Sequence, residues 1–247
     1  MSEKIVFKES VRGIIEYALK DGSLDDRFIS RSRAIDGTIA HVKLQADNSL
    51  LYEEYEKEVK LQYEFSNDNI ILLVEGRADG IIKENQRIII EEIKSTYKDL
   101  LYIDEDYNLL HWAQVKFYGY IYCCLNKIEE VIIRLSYYNI NTNEVRTFDK
   151  VYSKSELEAF TYDVVDKYIE AIVLKNSFIE ERNNSINILK FPFASYRKGQ
   201  RELAVNCFST IKQKGLLFVQ APTGIGKTIS TIFPAIKAIA LGNGSRV

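Results

Sequence analysis

Asp79 and the triplet Glu92-Ile93-Lys94 sit on the two arms of an apolar hairpin, GRADGIIKENQRIIIEEIKS. A turn centred on Asn85 brings Asp79 opposite Glu91 or Glu92, where facing Cβ atoms stand about 5 Å apart. Alternation along the strand sends Glu92 and Lys94 to one face and Ile93 to the other, so the triplet offers acid and ammonium together while still supplying a core side chain. Carboxylates this close repel unless a cation, a proton or a partner intervenes, and their hard oxygens suit Mg²⁺ or Mn²⁺. Lys94 could then orient or deprotonate a water, or offset charge developing on phosphorus, while the metal polarises the phosphate. That chemistry is phosphodiester hydrolysis. The bland alternative is a solvated strand face carrying a salt bridge.

A second constellation lies near the end of the chain. Ala221-Pro222-Thr223-Gly224-Ile225-Gly226-Lys227-Thr228 follows the apolar run Leu216-Leu217-Phe218-Val219 and precedes a helical pattern. In that context backbone amides cradle phosphates, with Lys227 reaching the terminal ones and Thr228 holding Mg²⁺. Ala221 stands where the general pattern has its first glycine.

The elements that must position these residues follow from periodicity and turn signals. Helices are predicted over 8–20 and 34–60, strands over 61–66, 70–82 and 87–95, and a helix over 107–124. Strands at 128–138 and 145–152 and a long helix from Ser155 to Asn176 complete an α/β pattern. All three prolines, Pro192, Pro222 and Pro234, fall in the last quarter, after the polar run Glu180-Glu181-Arg182-Asn183-Asn184-Ser185. The composition change divides the chain into residues 1–182, a linker at 183–191 and residues 192–247. Beyond the linker, a helix at 197–213, a strand at 216–220 and a helix from Lys227 are expected.

The chain has 247 residues, 46% of them hydrophobic, and a formal charge of −2, so any surface for nucleic acid must be a local basic patch. Arg27, Arg31 and Arg33 could line a path for a strand, or simply form a solvated basic face. No apolar run reaches the roughly 18 residues of a membrane span, and the amino terminus lacks a signal-peptide core, so a cytoplasmic protein with no membrane partner is expected. Cys123, Cys124 and Cys207 offer neither a disulfide framework nor a metal-binding spacing, and read as reduced, buried residues.

Four segments in order resemble the RecB-like branch of the PD-(D/E)XK nucleases: Gly37-Thr-Ile-Ala-His41, Gly76-Arg-Ala-Asp79, Glu92-Ile-Lys94 and Gln114-Val-Lys-Phe-Tyr118. The resemblance covers roughly residues 1–180 and implies a restriction-endonuclease-like mixed sheet flanked by helices. It implies a metal held by His41, Asp79, Glu92 and the Ile93 carbonyl, with Lys94 catalytic and Gln114 and Tyr118 contacting the DNA backbone near the cut. His111, on the same helical face as Gln114 and Tyr118, is a candidate phosphate contact. Glu75 could serve a second metal, with a strand-face charge the favoured reading. Several such nucleases anchor an iron–sulfur cluster on four cysteines; the three here lack that layout, so none is expected.

Residues 190–247 resemble the start of a DinG/XPD-class superfamily 2 DNA helicase. Tyr196, Arg197, Gly199 and Gln200 match its adenine-sensing motif ahead of the phosphate loop. The resemblance implies ATP binding in a complete helicase by Arg197, Gln200, Thr223, Gly224, Gly226, Lys227 and Thr228. Without an acidic box or a second motor domain, this P-loop fragment is expected to bind ATP poorly and to hydrolyse it negligibly. The leading expectation is a metal-dependent deoxyribonuclease, an exonuclease acting on single-stranded DNA or DNA ends, joined to a repair or processing helicase whose remainder is its partner. The alternatives are a catalytically inactive DNA-binding module that loads the helicase, and a small-molecule P-loop enzyme with an unrelated first domain.

Overall fold

The computed structural model describes residues 4–19 and 31–242, giving only the backbone for 31–34. Arg27 and the side chains of Arg31 and Arg33 therefore lie outside the described residues. The chain divides into two compact units, Met1–Ile169 and Glu170–Val247.

One long strand organises the first unit. β3 (Ile70–Glu84) pairs along one edge with β2 (Glu54–Ser66), antiparallel, and along the other with two strands placed end to end. These are β1 (Ile5–Ser10), parallel to Ile70–Glu75, and β4 (Arg87–Thr96), antiparallel from Gly80 onward. The β1–β3 register ends at Ser10–Glu75 and the β3–β4 register at Gly80–Glu91, which leaves a notch at residues 76–79 on that edge. Parallel pairing of β4 with β5 (Glu130–Asn139) and antiparallel pairing of β5 with β6 (Val145–Ser153) complete a six-stranded mixed sheet.

The β3–β4 hairpin closes through Asn85 and Gln86, both at positive φ (48° and 63°), the backbone that matches a two-residue turn to the twist of its strands. Asparagine tolerates that region better than most residues, which fits its place at the first turn position.

Helices cover both faces of this sheet, the restriction-endonuclease-like arrangement that the sequence predicts. The main core joins the strands to α1 (Val11–Leu19), α3 (Leu109–Asn126) and the first half of α4 (Lys154–Ile188), through residues such as Leu72, Ile90, Phe117 and Val164. Against the opposite face lies α2 (Arg31–Leu51), whose Ala40 and Leu44 meet Ile93 and Tyr138. α3 is capped by Asn108, whose side chain accepts from the Leu110 amide, and ends at Lys127 in the left-handed region.

Four boundaries differ from the sequence prediction. α2 stops at Leu51 and β2 starts at Glu54, where a helix over 34–60 was expected. The run EYEKEVK has strong helix formers, but pairing with the whole length of β3 prevails over that preference. β1 was not predicted; it forms through its parallel pairing with β3 rather than from an internal apolar pattern, and none of its residues is buried. α4 continues to Ile188 through most of the expected linker, since the polar run at 180–185 contains no glycine or proline to break it. Finally, residues 215–220 form no strand among the described residues, because nothing in their unit pairs with them.

In the second unit α5 (Gln200–Lys212) and α6 (Lys227–Ile239) pack together. Leu216 and Phe218 are 89% and 91% exposed in the stretch between them.

Candidate active site

The notch in β3 decides where the acids go. Extending the hairpin register one step past Gly80–Glu91 sets Asp79 across from Glu92, but the strands have parted there, and Asp79 Oδ2 accepts from the Ile93 amide at 2.7 Å. A side chain thus replaces the missing ladder bond and fixes the carboxylate. Its other oxygen, Oδ1, faces His41 Nδ1 of α2 at 3.7 Å, an ion-pair rather than a hydrogen-bond distance. Burial works against a charged His41, yet the adjoining Asp79 outweighs it and raises the imidazole's pKa.

Glu92 points to the Lys94 side of β4, as alternation predicts, and is 2% exposed. Its Oε1 is in ion-pair contact with the Lys94 ammonium, while its Oε2 is buried with no protein partner. Burial pushes its pKa from 4.5 up to about 7; the ammonium opposes that shift and the Asp79 charge adds to it. A buried carboxylate oxygen without a donor is costly unless a proton or a cation meets it.

From Lys94 a polar chain runs into α3. Lys94 Nζ donates to Gln114 Oε1 at 3.4 Å, and Gln114 Nε2 donates to the Tyr118 hydroxyl at 3.3 Å. Tyr118 itself is only 4% exposed and lies on Gly76, where an added Cβ would come within 2.6 Å of its ring. Burial raises its pKa to about 12, helped by the Glu92 charge. Tyr118 is therefore placed to brace Gln114, and Gln114 is the member of the pair that reaches open space.

His41, Lys94 and Gln114 line one cleft of about 780 Å³, bounded further by α1, the segment before α3 and Tyr137 of β5. Asp79 and Glu92 sit behind it, 13% and 2% exposed, in contact with His41 and Lys94 respectively. His111 shares the cleft, where it was a candidate phosphate contact. Asn108 Oδ1 accepts from Leu110, so its Nδ2 turns to His111 Nε2 at 3.2 Å, leaving Nδ1–H to donate to Tyr137 at 2.9 Å. Burial, with Lys94 and Arg12 nearby, drives the imidazole's pKa down to about 3.

Glu91 is the acid that sequence reasoning left without a role. It is 1% exposed on the α2 side of the sheet, accepting from Asn48 at 2.8 Å, Ser136 at 2.5 Å and Tyr55 at 3.3 Å. Gln45, one turn before Asn48, donates to the Asp79 carbonyl at 2.9 Å. His41, Gln45 and Asn48 thus form one stripe on α2 that binds the helix to the two acidic strands. The signal was present in the sequence: alternation puts Glu91 on the packed face with Ile93, and an acid there needs donors. Glu75, by contrast, forms an exposed ion pair with Lys8.

Among the described residues no three His, Cys, Asp or Glu side chains converge as a preformed metal cage. The donor chemistry nevertheless fits a hard divalent cation: Glu92 has an unmet buried oxygen, Asp79 keeps Oδ1 turned from the backbone, and His41 adjoins it. Of the Ile93 backbone, it is the amide that engages Asp79. The three cysteines are free, with Cys123 and Cys207 buried and Cys124 half-buried.

Of the expected nucleotide residues, the second unit brings Arg197, Gln200, Gly226 and Thr228 to one hollow. Gly224 and Gly226 adopt positive φ (84° and 81°), and Gly226 caps α6. Lys227 Nζ bonds the carbonyls of Ala221 at 3.1 Å and Pro222 at 2.9 Å, folding back over its own loop. Arg197 donates from its guanidinium to the Gly224 carbonyl and from its amide to Gln200 Oε1, the latter at 2.9 Å. A Cβ at Gly226 would come within 2.3 Å of Gln200 Nε2, so only glycine admits this approach. Arg197, Gln200, Gly226 and Thr228 border a hollow of about 470 Å³ with Phe193; Thr223 is exposed.

No family model matches the chain. Over 47 residues it is 40% identical to a probable ATP-dependent helicase of Methanocaldococcus jannaschii, a match spanning 19% of this chain and 7% of that protein. Among solved structures, the crystal structure of SSO0001 aligns with 67% of this chain and 77% of its own at 18% identity, with a TM-score of 0.43. A phage-related exonuclease from Haemophilus somnus 129PT aligns with 67% of this chain and 81% of its own at 12% identity, with a TM-score of 0.33.

Proposed function

We propose that the first unit is a metal-dependent nuclease that hydrolyses phosphodiester bonds of DNA, acting as an exonuclease, and that it is the nuclease part of a nuclease–helicase in DNA repair or processing. The observation that carries this reading is the buried, unpartnered Glu92 oxygen beside Lys94, with Asp79 pinned by the Ile93 amide and facing His41. A Mg²⁺ or Mn²⁺ held by Asp79 and Glu92, with His41 and the Ile93 carbonyl completing the set, would supply Lewis-acid polarisation of the phosphate and a more acidic water. Lys94, freed from Glu92, stands at the cleft to offset charge on the phosphorane-like transition state or to take a proton from water. Gln114, braced by Tyr118, would hold a backbone phosphate in place. Water oxygen bonds to phosphorus and gives up a proton, the bond to the departing deoxyribose oxygen breaks, and that oxygen takes up a proton.

In the second unit, Arg197 and Gln200 beside the phosphate loop support an adenine-nucleotide site in the complete motor. ATP is the proposed cofactor there, and the rest of the helicase the proposed partner.

The test is cleavage of end-labelled single- and double-stranded DNA with Mn²⁺. Wild type should cut, and Asp79→Ala, Glu92→Ala and Lys94→Ala should each lose about 100-fold or more in rate while retaining the native circular-dichroism spectrum and a cooperative melt. Undiminished cutting by all three would sink the assignment. Strand binding without cutting under Mg²⁺ or Mn²⁺ would instead favour the inactive DNA-binding module, for which the Lys94–Glu92 contact and the lack, among the described residues, of a preformed three-ligand cage are the supporting observations.

A further inference from the structure

The cleft is larger than hydrolysis of a phosphate requires. At about 780 Å³ it falls in the size range of sites for whole small ligands. Beside His41, Lys94 and Gln114 its lining includes Tyr107, Leu110, Ile15, His111 and Tyr137. Both ring nitrogens of His111 are engaged, by Asn108 and Tyr137. Aromatic and apolar walls of this kind favour a flat, uncharged ring.

Tyr107 is the group best placed to receive one. It is 41% exposed, its ring is steadied edge-on by Tyr137 at 5.9 Å between centroids, and Lys98 lies 4.5 Å from its centre. The Lys98 ammonium lies over one face of the ring, and Arg12, which also lines the cleft, is shared with Glu16. Acidic residues 104–106 immediately precede Tyr107, with only Glu105 neutralised, by Lys150. Phosphate attraction is thus weak here, and stacking must supply much of the affinity.

We propose that the cleft wall around Tyr107 is a nucleobase subsite, in which Tyr107 stacks on an unpaired base next to the phosphate held at Lys94 and Gln114 of the same cleft. The substrate class is single-stranded nucleic acid or a frayed end, because a base inside a duplex offers no free face. The proposal rests on the nuclease reading for the role of the neighbouring phosphate, but the subsite can be tested without catalysis.

The experiment measures binding of a fluorescent single-stranded oligodeoxynucleotide in EDTA, with one abasic site moved along the strand. Wild type should show one position where removing the base weakens binding about 5- to 100-fold. Tyr107→Ala should abolish that penalty at that position, Tyr107→Phe should keep it, and a fully paired oligonucleotide should bind more weakly than the single strand. Equal penalties at every position, a penalty that survives in Tyr107→Ala, preference for the duplex, or no strand binding by wild type would each overturn the subsite. Circular dichroism and melting curves confirm that the variants fold. Cleavage with Mn²⁺ is scored separately: cutting without a base-specific penalty sinks the subsite alone, and a base-specific penalty without cutting sinks the reaction alone.

Discussion

Glu92 illustrates how one buried side chain can make a site both unstable and reactive. Its pKa is raised from 4.5 to about 7, so the folded protein binds a proton more tightly than the unfolded chain does. Stability from this group is full below about pH 4.5 and falls as pH climbs toward 7, a difference of about 3 kcal/mol. Glu92→Gln should therefore raise the melting temperature of the metal-free protein at pH 8 by several degrees and leave it nearly unchanged at pH 4.5. A scan showing the same shift at both pH values would refute the assignment. Gly76 makes a steric counterpart. Gly76→Ala places a methyl group 2.6 Å from the Tyr118 ring and should cost about 1–3 kcal/mol in urea unfolding, with loss of cleavage as Tyr118 and Gln114 shift.

The site is made at the level of elements by two strands that fail to meet. β1 and β4 occupy the same edge of β3 and leave residues 76–79 between them, and α2 closes the opposite face through Gln45 and Asn48 rather than through a broad apolar stripe. Asn48→Ala should cost about 1–3 kcal/mol, since Glu91 Oε2 then keeps only the longer Tyr55 contact. It should also weaken Mn²⁺-dependent cleavage, whereas Glu91→Gln, which retains an acceptor for Asn48, should keep most of both. The hairpin was legible in the sequence because alternation, a two-residue turn and the Glu-x-Lys spacing agree. The α2–β2 junction was not: EYEKEVK suits a helix locally, and only the long partner strand forces it to extend. The notch could not be read either, because it arises where β1, itself unpredicted, runs out. His41 was singled out through motif order, but the Gln45 and Asn48 contacts that anchor its helix join residues 34 and 43 positions apart in the chain.

Charge over the whole molecule is nearly balanced, at −2 for 247 residues, and no described helix is long and apolar enough to cross a membrane. If the proposed nuclease meets its strand through Arg12 and Lys94, which line the cleft, and Lys98, beside Tyr107, few cations are engaged. About three phosphate contacts imply a slope near −2 when log affinity for single strands is plotted against log salt. A slope beyond about −4 would mean that another basic surface carries the strand. The two compact units also make separable predictions. Lys227→Ala should leave the rate of strand cleavage within about twofold of wild type, and Asp79→Ala should leave nucleotide affinity unchanged, as expected for sites without shared partners.

The uncovered run Leu216–Val219 has a consequence for handling the protein. Four apolar side chains outside any helix or strand, two of them almost wholly in water, make an apolar segment on which a neighbouring copy can settle. Concentrated samples should clump through this ribbon, so light scattering ought to grow steeply with protein concentration and subside when Leu216 and Phe218 are exchanged for lysine.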